Sequence, residues 1–552
     1  MDWSSTRSRK LRFSGYVIFF TFVLGILIQI LGVLLLSKTV SYEDGKLKVN
    51  QVFASISDSL LSIANFSPHL VLGHAVASQS EIMRLAKIAD LGAQMIKESK
   101  SILPYFSTSQ DLNDFLRRER GSEKIQETAD KLSPIASLIS KFISGDANAR
   151  RIDEVFGVST AKPIHVLNSL LELGQNSEML FGCETESKFL LLLTSSAEAR
   201  SLGGLIGQYA TISSKCGEFK VDRVGTNTDL IDNKSFNQLF ELYPGLFRST
   251  NPEWVNSNLI PEGLTLSKIW IEAFEKQFQE DIDGVIVVDT LILSKFAAAN
   301  GGLSAADGTK LKSSEEIEAY LLNGIYFQFP ENQILRKQHL LEITEQLASS
   351  LKLSSLDSGE MSKAVFDTLG EDRILVFLDN GKLRPNIYNQ LSWSGSNLDT
   401  VYVGVNNLSG SKFDYYSKYS IEVLQCQNNR YLLNFRLSNV ASNDINYPDY
   451  VARRLDSYNS KKIGVLNQFI MTFDPRGAKV LNQAVSPFSD IRLIQGETNR
   501  NLLSIVEFIE SQESYSFSIL FKSRHALKFR MWGHQIQVSN SKSSNCLLTE
   551  TN

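Results

Sequence analysis

Residues Tyr16 to Leu36 (YVIFFTFVLGILIQILGVLLL) form an uncharged run of 21 residues, and no other segment constrains the chain so tightly. At ~1.5 Å rise per residue, a helix over this run spans about 30 Å, the thickness of a bilayer's hydrocarbon core. Most of the run is Val, Ile, Leu or Phe, each favouring insertion by roughly 0.3–0.6 kcal/mol, and Gln29 is the one clear polar cost. Arg7, Arg9, Lys10 and Arg12 precede it, with only Asp2 against them. Positive residues beside a first transmembrane helix resist translocation. The expected layout is therefore a cytoplasmic basic tail over 1–15, a signal anchor over 16–36, and an extracytoplasmic remainder of a single-pass plasma-membrane protein. A cleaved signal peptide is the competing reading, but it wants a shorter apolar core and an A-x-A-like site. Ser37-Lys38-Thr39-Val40-Ser41 supplies no such site. Gly25 and Gly32 miss the G-x-x-x-G spacing that would support helix dimerisation.

Charge narrows the partners. Beyond residue 15 the chain carries 52 basic against 59 acidic residues, a net charge of −7. A mildly acidic exported part argues against nucleic acid and against dense binding to anionic lipid. With 43% hydrophobic residues and only 12 prolines, it has the composition of cored domains and not of a disordered stalk. Four cysteines are too few for a disulfide framework at this size. Cys183 and Cys216 nevertheless flank two strand-like runs, Lys188–Leu193 and Leu205–Ser213, and an antiparallel pairing of those runs brings position 183 opposite about 215. A bridge between them is expected, with two free buried thiols as the alternative; Cys426 and Cys546 are the leftover pair.

The remainder divides by period. Over 37–180 the pattern is helical, with stripes such as Ile82, Leu85, Ala89 and Ile96, and Ile125, Leu132, Ile135, Leu138, Ile139 and Phe142. Pro163 can open a further helix and Gly174 can stop it, so a membrane-proximal bundle is expected. Over 181–378 strands mix with helices: Phe189–Leu193 and Gly284–Val288 read as buried strands, Asp289 as the N-cap of a helix over Thr290–Ala299, and Leu340, Ile343, Leu347 and Leu351 as an amphipathic helix. Over 379–545 the period is two. Val401–Val405, Leu433–Leu437, Phe469–Phe473 and Tyr515–Phe521 alternate most clearly, predicting a C-terminal antiparallel β-sandwich before a tail at 546–552. The expected fold class is thus multi-domain α+β: one transmembrane helix, a helical bundle, a mixed α/β domain and the sandwich.

No chemistry announces itself. The six histidines show no metal-ligand spacing, and neither a G-x-S-x-G elbow nor a phosphate-cradling Gly-rich loop with Lys is present. The most motif-like stretch is Ala197–Gly207. There Gly203 and Gly204 could let backbone amides approach an anion while Arg200 clamps it. The structural reading is a two-glycine turn with Glu198 and Arg200 as its solvated flank. Asp281, Asp283 and Asp289 bracket the strand GVIVV and could hold Mg²⁺, though a turn plus an N-cap explains all three.

AEARSLGGLIGQYATI, then Asp283-Gly284-Val285-Ile286 with Asp289, then Asn407-Leu408-Ser409-Gly410-Ser411-Lys412-Phe413-Asp414-Tyr415 resemble the bacterial domain-of-unknown-function family numbered 4012. The similarity covers roughly Lys188 to Ser486. The family pattern has Gln-Asn before the A-E-x-R stretch, where this chain has Thr194-Ser195. The resemblance implies a single-anchor envelope protein in the context of surface polysaccharide, and no defined chemistry. Two function classes follow. The first is a non-enzymatic binding or assembly protein of the envelope, without a cofactor, whose partners are the bilayer through Tyr16–Leu36 and an envelope glycan or protein. The second is a transferase or hydrolase of envelope polymers in which Arg200 holds a pyrophosphate and Asp283 or Asp289 holds Mg²⁺; it requires the GG loop and the Asp site to meet within about 10 Å.

Overall fold

The computed structural model describes residues 40–43, 46–49, 91, 94–95, 97–98, 115–117, 121–143, 171, 174–231, 234–237, 243, 253–350, 373–379, 388–391, 399–452, 464–486, 489–495, 500–524, 526–533, 536 and 538–540. The expected anchor at 16–36, the flanking tails, Cys546, Pro163 and the stripe from Ile82 to Ala89 lie outside the described residues. Among the described residues no helix is long and apolar enough to cross a membrane. The chain forms two units, 1–178 and 179–552.

In the first unit, β1 (Val40–Glu43) pairs antiparallel with β2 (Lys46–Val49), Val40 opposite Val49. The helical expectation for 37–180 missed this hairpin, although Asp44-Gly45 between two short runs is the dipeptide such hairpins favour. Helix Gly121–Ile143 buries Ile125, Ala129, Leu132 and Ala136, and Leu171 packs with the last three. The buried stripe therefore runs through two alanines, while Leu138, counted on the expected stripe, is 43% exposed. Small residues let a neighbouring backbone come close. Gly174 shows the same device: it is helical, and a Cβ there would sit 2.9 Å from the Ala129 Cβ, so it is a packing glycine and not the expected stop.

The second unit begins with β3 (Ser187–Ser195), β4 (Leu205–Lys215), β5 (Glu218–Thr226) and β6 (Gly284–Asp289). After the two-residue strands β7 (Leu303–Ser304) and β8 (Lys310–Leu311) come β9 (Ile374–Asp379) and β10 (Tyr388–Leu391). Six of these form one sheet in the order β10-β9-β6-β3-β4-β5. Only β3 and β6 run parallel, with Leu190 opposite Val285. Both are buried on two faces, which is why they read as continuous apolar runs. Leu190, Leu192, Val285 and Val287 face the main core, whereas Leu193 and Val288 pack with Ile292 of helix Thr290–Ala299. Helix Gly263–Phe278, which the sequence reading did not single out, covers the first face with Leu266, Ile269, Trp270, Ala273 and Phe274 at helical spacing. Because β10 completes this sheet, the α/β domain extends past the expected boundary at 378.

Ten further strands build the sandwich. They are β11 (Thr400–Asn407), β12 (Ser417–Cys426), β13 (Arg430–Asn439), β14 (Gly464–Phe473), β15 (Ala478–Ala484), β16 (Asp490–Gln495), β17 (Asn501–Glu510), β18 (Ser514–Ser523), β19 (Lys528–Met531) and β20 (Val538–Asn540). The two sheets are ordered β16-β17-β14-β11-β19 and β15-β18-β13-β12-β20. Phe435 meets Phe469 across the interlayer with ring centroids 4.9 Å apart, and Phe473 meets Phe521 at 5.7 Å. The antiparallel expectation holds except at two edges, where β11–β19 and β12–β20 are parallel.

One strand joins the domains. Every residue of β11 is buried. Val401, Val403 and Val405 face the sandwich core, while Tyr402 packs, with Ile470, Leu502 and Trp532, into the core of the α/β domain. Gly404 sits where Ser201 crosses the strand; a Cβ there would lie 2.1 Å from the Ser201 Oγ. Cys183 and Cys216 are disulfide-bonded, their Cα atoms 4.1 Å apart, and tie the base of the β3–β4 hairpin. Cys426 is also disulfide-bonded.

Candidate functional site

The nine-residue loop 196–204 between β3 and β4 is not a solvated turn. Glu198 is 6% exposed and Arg200 8%. The Arg200 guanidinium donates to the Glu198 carboxylate at 2.7 Å and to Asn256 Oδ1 at 2.8 Å. It also reaches the carbonyls of Ala199 and Asn407 at 2.8 and 3.1 Å. With its other oxygen Glu198 takes an ion pair from Lys412, itself buried. Burial raises the Glu198 carboxyl, but the Lys412 ammonium and the Arg200 guanidinium outweigh it and hold the group below the ordinary carboxylate range. Arg200 is thus consumed by its own fold, and both sequence readings of it are corrected: it is neither a solvated flank nor a free anion clamp. The glycines are conformational. Gly203 and Gly204 have φ of +88° and +114°, and a Cβ on Gly204 would meet the Ser195 carbonyl oxygen at 2.1 Å.

The partners of this loop come from the third resemblance segment, Asn407–Tyr415. The Ala199 N–H donates to Asp414 Oδ2 at 2.9 Å, and the Asn407 N–H donates to the Ala199 carbonyl at 2.9 Å. The Asn407 side chain bonds the Ser411 carbonyl and the Asp414 carboxylate. One residue earlier, Asn406 Oδ1 accepts from the Ser201 N–H at 2.9 Å, while its Nδ2 donates to the Leu259 carbonyl at 2.9 Å. Two motifs some two hundred residues apart therefore close on each other as a dry polar seam between the α/β domain and the sandwich. Burial pushes the Asp414 carboxyl up to about 6, against the Ala199 and Asn407 hydrogen bonds that favour its ionised form.

A cleft of about 560 Å³ opens beside this seam. Gly203, Gly204, Arg200 and Asp289 line it, together with Glu318, Arg373, Asp414, Tyr415, Tyr416, Tyr419 and Trp532. Of the expected site residues, four thus share one concave surface. Asp289 caps helix Thr290–Ala299, accepting from the Ile292 N–H at 3.2 Å through Oδ1. Its Oδ2 accepts from Arg373 at 2.7 Å and from the Trp532 indole at 3.1 Å. Burial raises the Glu318 carboxyl, with Arg373 acting against it. Glu198 lies behind the wall. Asp283 is not here at all: at the other end of β6, about 20 Å away at ~3.3 Å per residue, it accepts from the Lys188 N–H at 2.8 Å. Of the two alternatives for Mg²⁺, Asp283 therefore lies a strand's length from the cleft and Asp289 lines it. Among the described residues no group of three or more His, Cys, Asp or Glu is placed to hold a metal ion.

The sequence reading missed Arg373, Glu318 and Trp532, which carry no local pattern. It also missed that Lys412 and Asp414 are partners of Glu198 and Ala199. The resemblance quoted both segments, and their joint appearance was the available signal.

No curated protein matches the chain. The family model described as a protein of unknown function, DUF4012, matches residues 184–326. That span holds β3 to β6, the Glu198–Arg200 loop and Asp289, and stops short of the Asn407–Tyr415 segment that packs against them. The segment 184–326 of this chain is of the DUF4012 family, the one its motifs resemble.

Proposed function

We propose that this is a membrane-anchored extracytoplasmic protein of the bacterial cell envelope with a non-enzymatic binding or assembly role, and that its cleft takes a surface polysaccharide or related envelope polymer. The observation that carries this reading is the cleft's lining. Tyr415, Tyr416, Tyr419 and Trp532 offer aromatic surface beside the Arg373–Asp289 pair and Glu318, a mixture suited to sugar rings that present apolar faces and hydroxyl edges. The carboxylate that a transferase or hydrolase would use, Asp289, has both oxygens engaged by the protein itself. The anchor at Tyr16–Leu36 and the acidic balance beyond it support an exported head attached to the bilayer.

The test has two arms. Protease added to intact cells should remove the part of the chain beyond the anchor, and digestion only after lysis would sink the placement. Purified full chain should retain labelled envelope polysaccharide without changing its length, and Tyr415→Ala together with Glu318→Gln should weaken retention at least tenfold. Shortened or transferred polymer would instead establish the enzymatic class.

A further inference from the structure

A second cavity, of about 120 Å³, shares only Asp289 with the cleft. Its walls include the aliphatic side chains Leu193, Leu293, Leu340 and Ile343, and its polar groups include Gln208, Arg336 and Lys412. Arg336 lies on helix Gln333–Ser350 in a stripe with Leu340, Ile343 and Thr344, and is 2% exposed. Its guanidinium carbon sits 3.9 Å from the Tyr450 ring centroid and 4.9 Å from that of Tyr326. Among the described residues no hydrogen bond or ion pair reaches the guanidinium, and Nη1 is buried without an acceptor. An arginine cannot shed its charge, and contact with two rings returns about 1–2 kcal/mol where desolvation costs several. Among the described residues, no carboxylate balances the charge.

The surroundings point to what compensates it. The Thr344 hydroxyl shares its one proton between Gln208 Oε1 at 2.8 Å and the Leu340 carbonyl at 2.9 Å, and Gln208 Nε2 is a second buried donor without an acceptor among the described residues. At the wall Lys412 is already paired with Glu198 and Asp289 with Arg373, so the charge left to be balanced there is that of Arg336. Both orphaned groups are donors, so their missing partner is an acceptor, and the local field makes it an anion. The space is roughly ten times the 10–15 Å³ that admits one water.

We propose that this cavity is an oxyanion site that takes a phosphate group, with Arg336 and Gln208 as its donors and the aliphatic wall receiving any apolar body attached to it. This stands apart from the polymer-binding reading, because the two cavities have only Asp289 in common. The experiment is thermal unfolding and calorimetric titration of the purified full chain with inorganic phosphate and with hexyl phosphate, against chloride at equal ionic strength. Phosphate should raise the unfolding midpoint beyond the chloride control. At least tenfold tighter binding of hexyl phosphate identifies a phosphate on an apolar carrier as the ligand, and equal binding identifies free phosphate. Arg336→Met should raise the midpoint of the unliganded chain, since it removes an unpaired buried charge, and should abolish the phosphate response. Gln208→Leu should fold and bind at least threefold more weakly. Wild-type chain indifferent to both phosphates, or either variant responding like wild type, overturns the proposal.

Discussion

Lys412 and Glu198, 214 residues apart, form an ion pair with side chains 5% and 8% exposed, and Arg200 donates to the other carboxylate oxygen. Removing the carboxylate strands two buried cations at once. Glu198→Ala should therefore cost about 3–5 kcal/mol, read as a fall in the thermal midpoint. The triple replacement of Glu198, Arg200 and Lys412 by apolar residues should cost less than the single one. A mild single mutant would mean that the seam is wet.

Asp414 gives the seam a pH signature. Its folded pKa of about 6 lies above the usual value for an unfolded aspartate, so the native state binds the proton more tightly. The stability from protonation is complete below about pH 4 and is lost as pH rises through about 6, a swing of about 3 kcal/mol. Glu198 works in the opposite sense and at lower pH, because its folded carboxyl is depressed and its contribution is lost only in acid. Asp414→Asn should flatten the unfolding midpoint between pH 4 and 6; an unchanged slope would assign it elsewhere.

Gly404 is required by an approach, not by its dihedrals. Its missing Cβ leaves room for Ser201 Oγ and Cβ, which would stand 2.1 and 2.5 Å from it. Gly404→Ala should destabilise by about 1–3 kcal/mol, and adding Ser201→Gly should recover part of that loss in a double-mutant cycle. Strict additivity would show that the two residues do not meet.

The Cys183–Cys216 bridge closes a separation of 33 residues at the base of the central hairpin. In the chain-entropy picture a loop of that length contributes about 3–4 kcal/mol. The Cys183→Ser, Cys216→Ser double variant should unfold at a correspondingly lower denaturant midpoint than the oxidised wild type, the Cys426 bridge being intact in both.

The strands were legible wherever the pattern of the residues stated their surroundings. Phe189–Leu193 and Gly284–Val288 are apolar throughout because both faces are covered, and Tyr515 to Phe521 alternates because one face is wet. The N-cap at Asp289 was legible too, because a cap is a contact between neighbours in sequence. Strands β15, β16 and β19 were not: mostly exposed or short, they carry little apolar periodicity. Helix Gln333–Ser350 was found from Leu340 and Ile343, but the buried charge in the stripe, Arg336, was invisible because a charge in a helical pattern reads as surface.

The order of residues by itself determined the local elements, the uncharged run at 16–36 and the closeness of Cys183 to Cys216, since all of these follow from chain period and short-range pairing. Only the tertiary structure decided that Glu198 and Arg200 are interior, that Asp283 and Asp289 stand at opposite ends of a strand, and that Arg336 is buried against two tyrosine rings. Burial of a charged group depends on which distant groups arrive beside it. Those arrivals are set by packing, not by spacing along the chain.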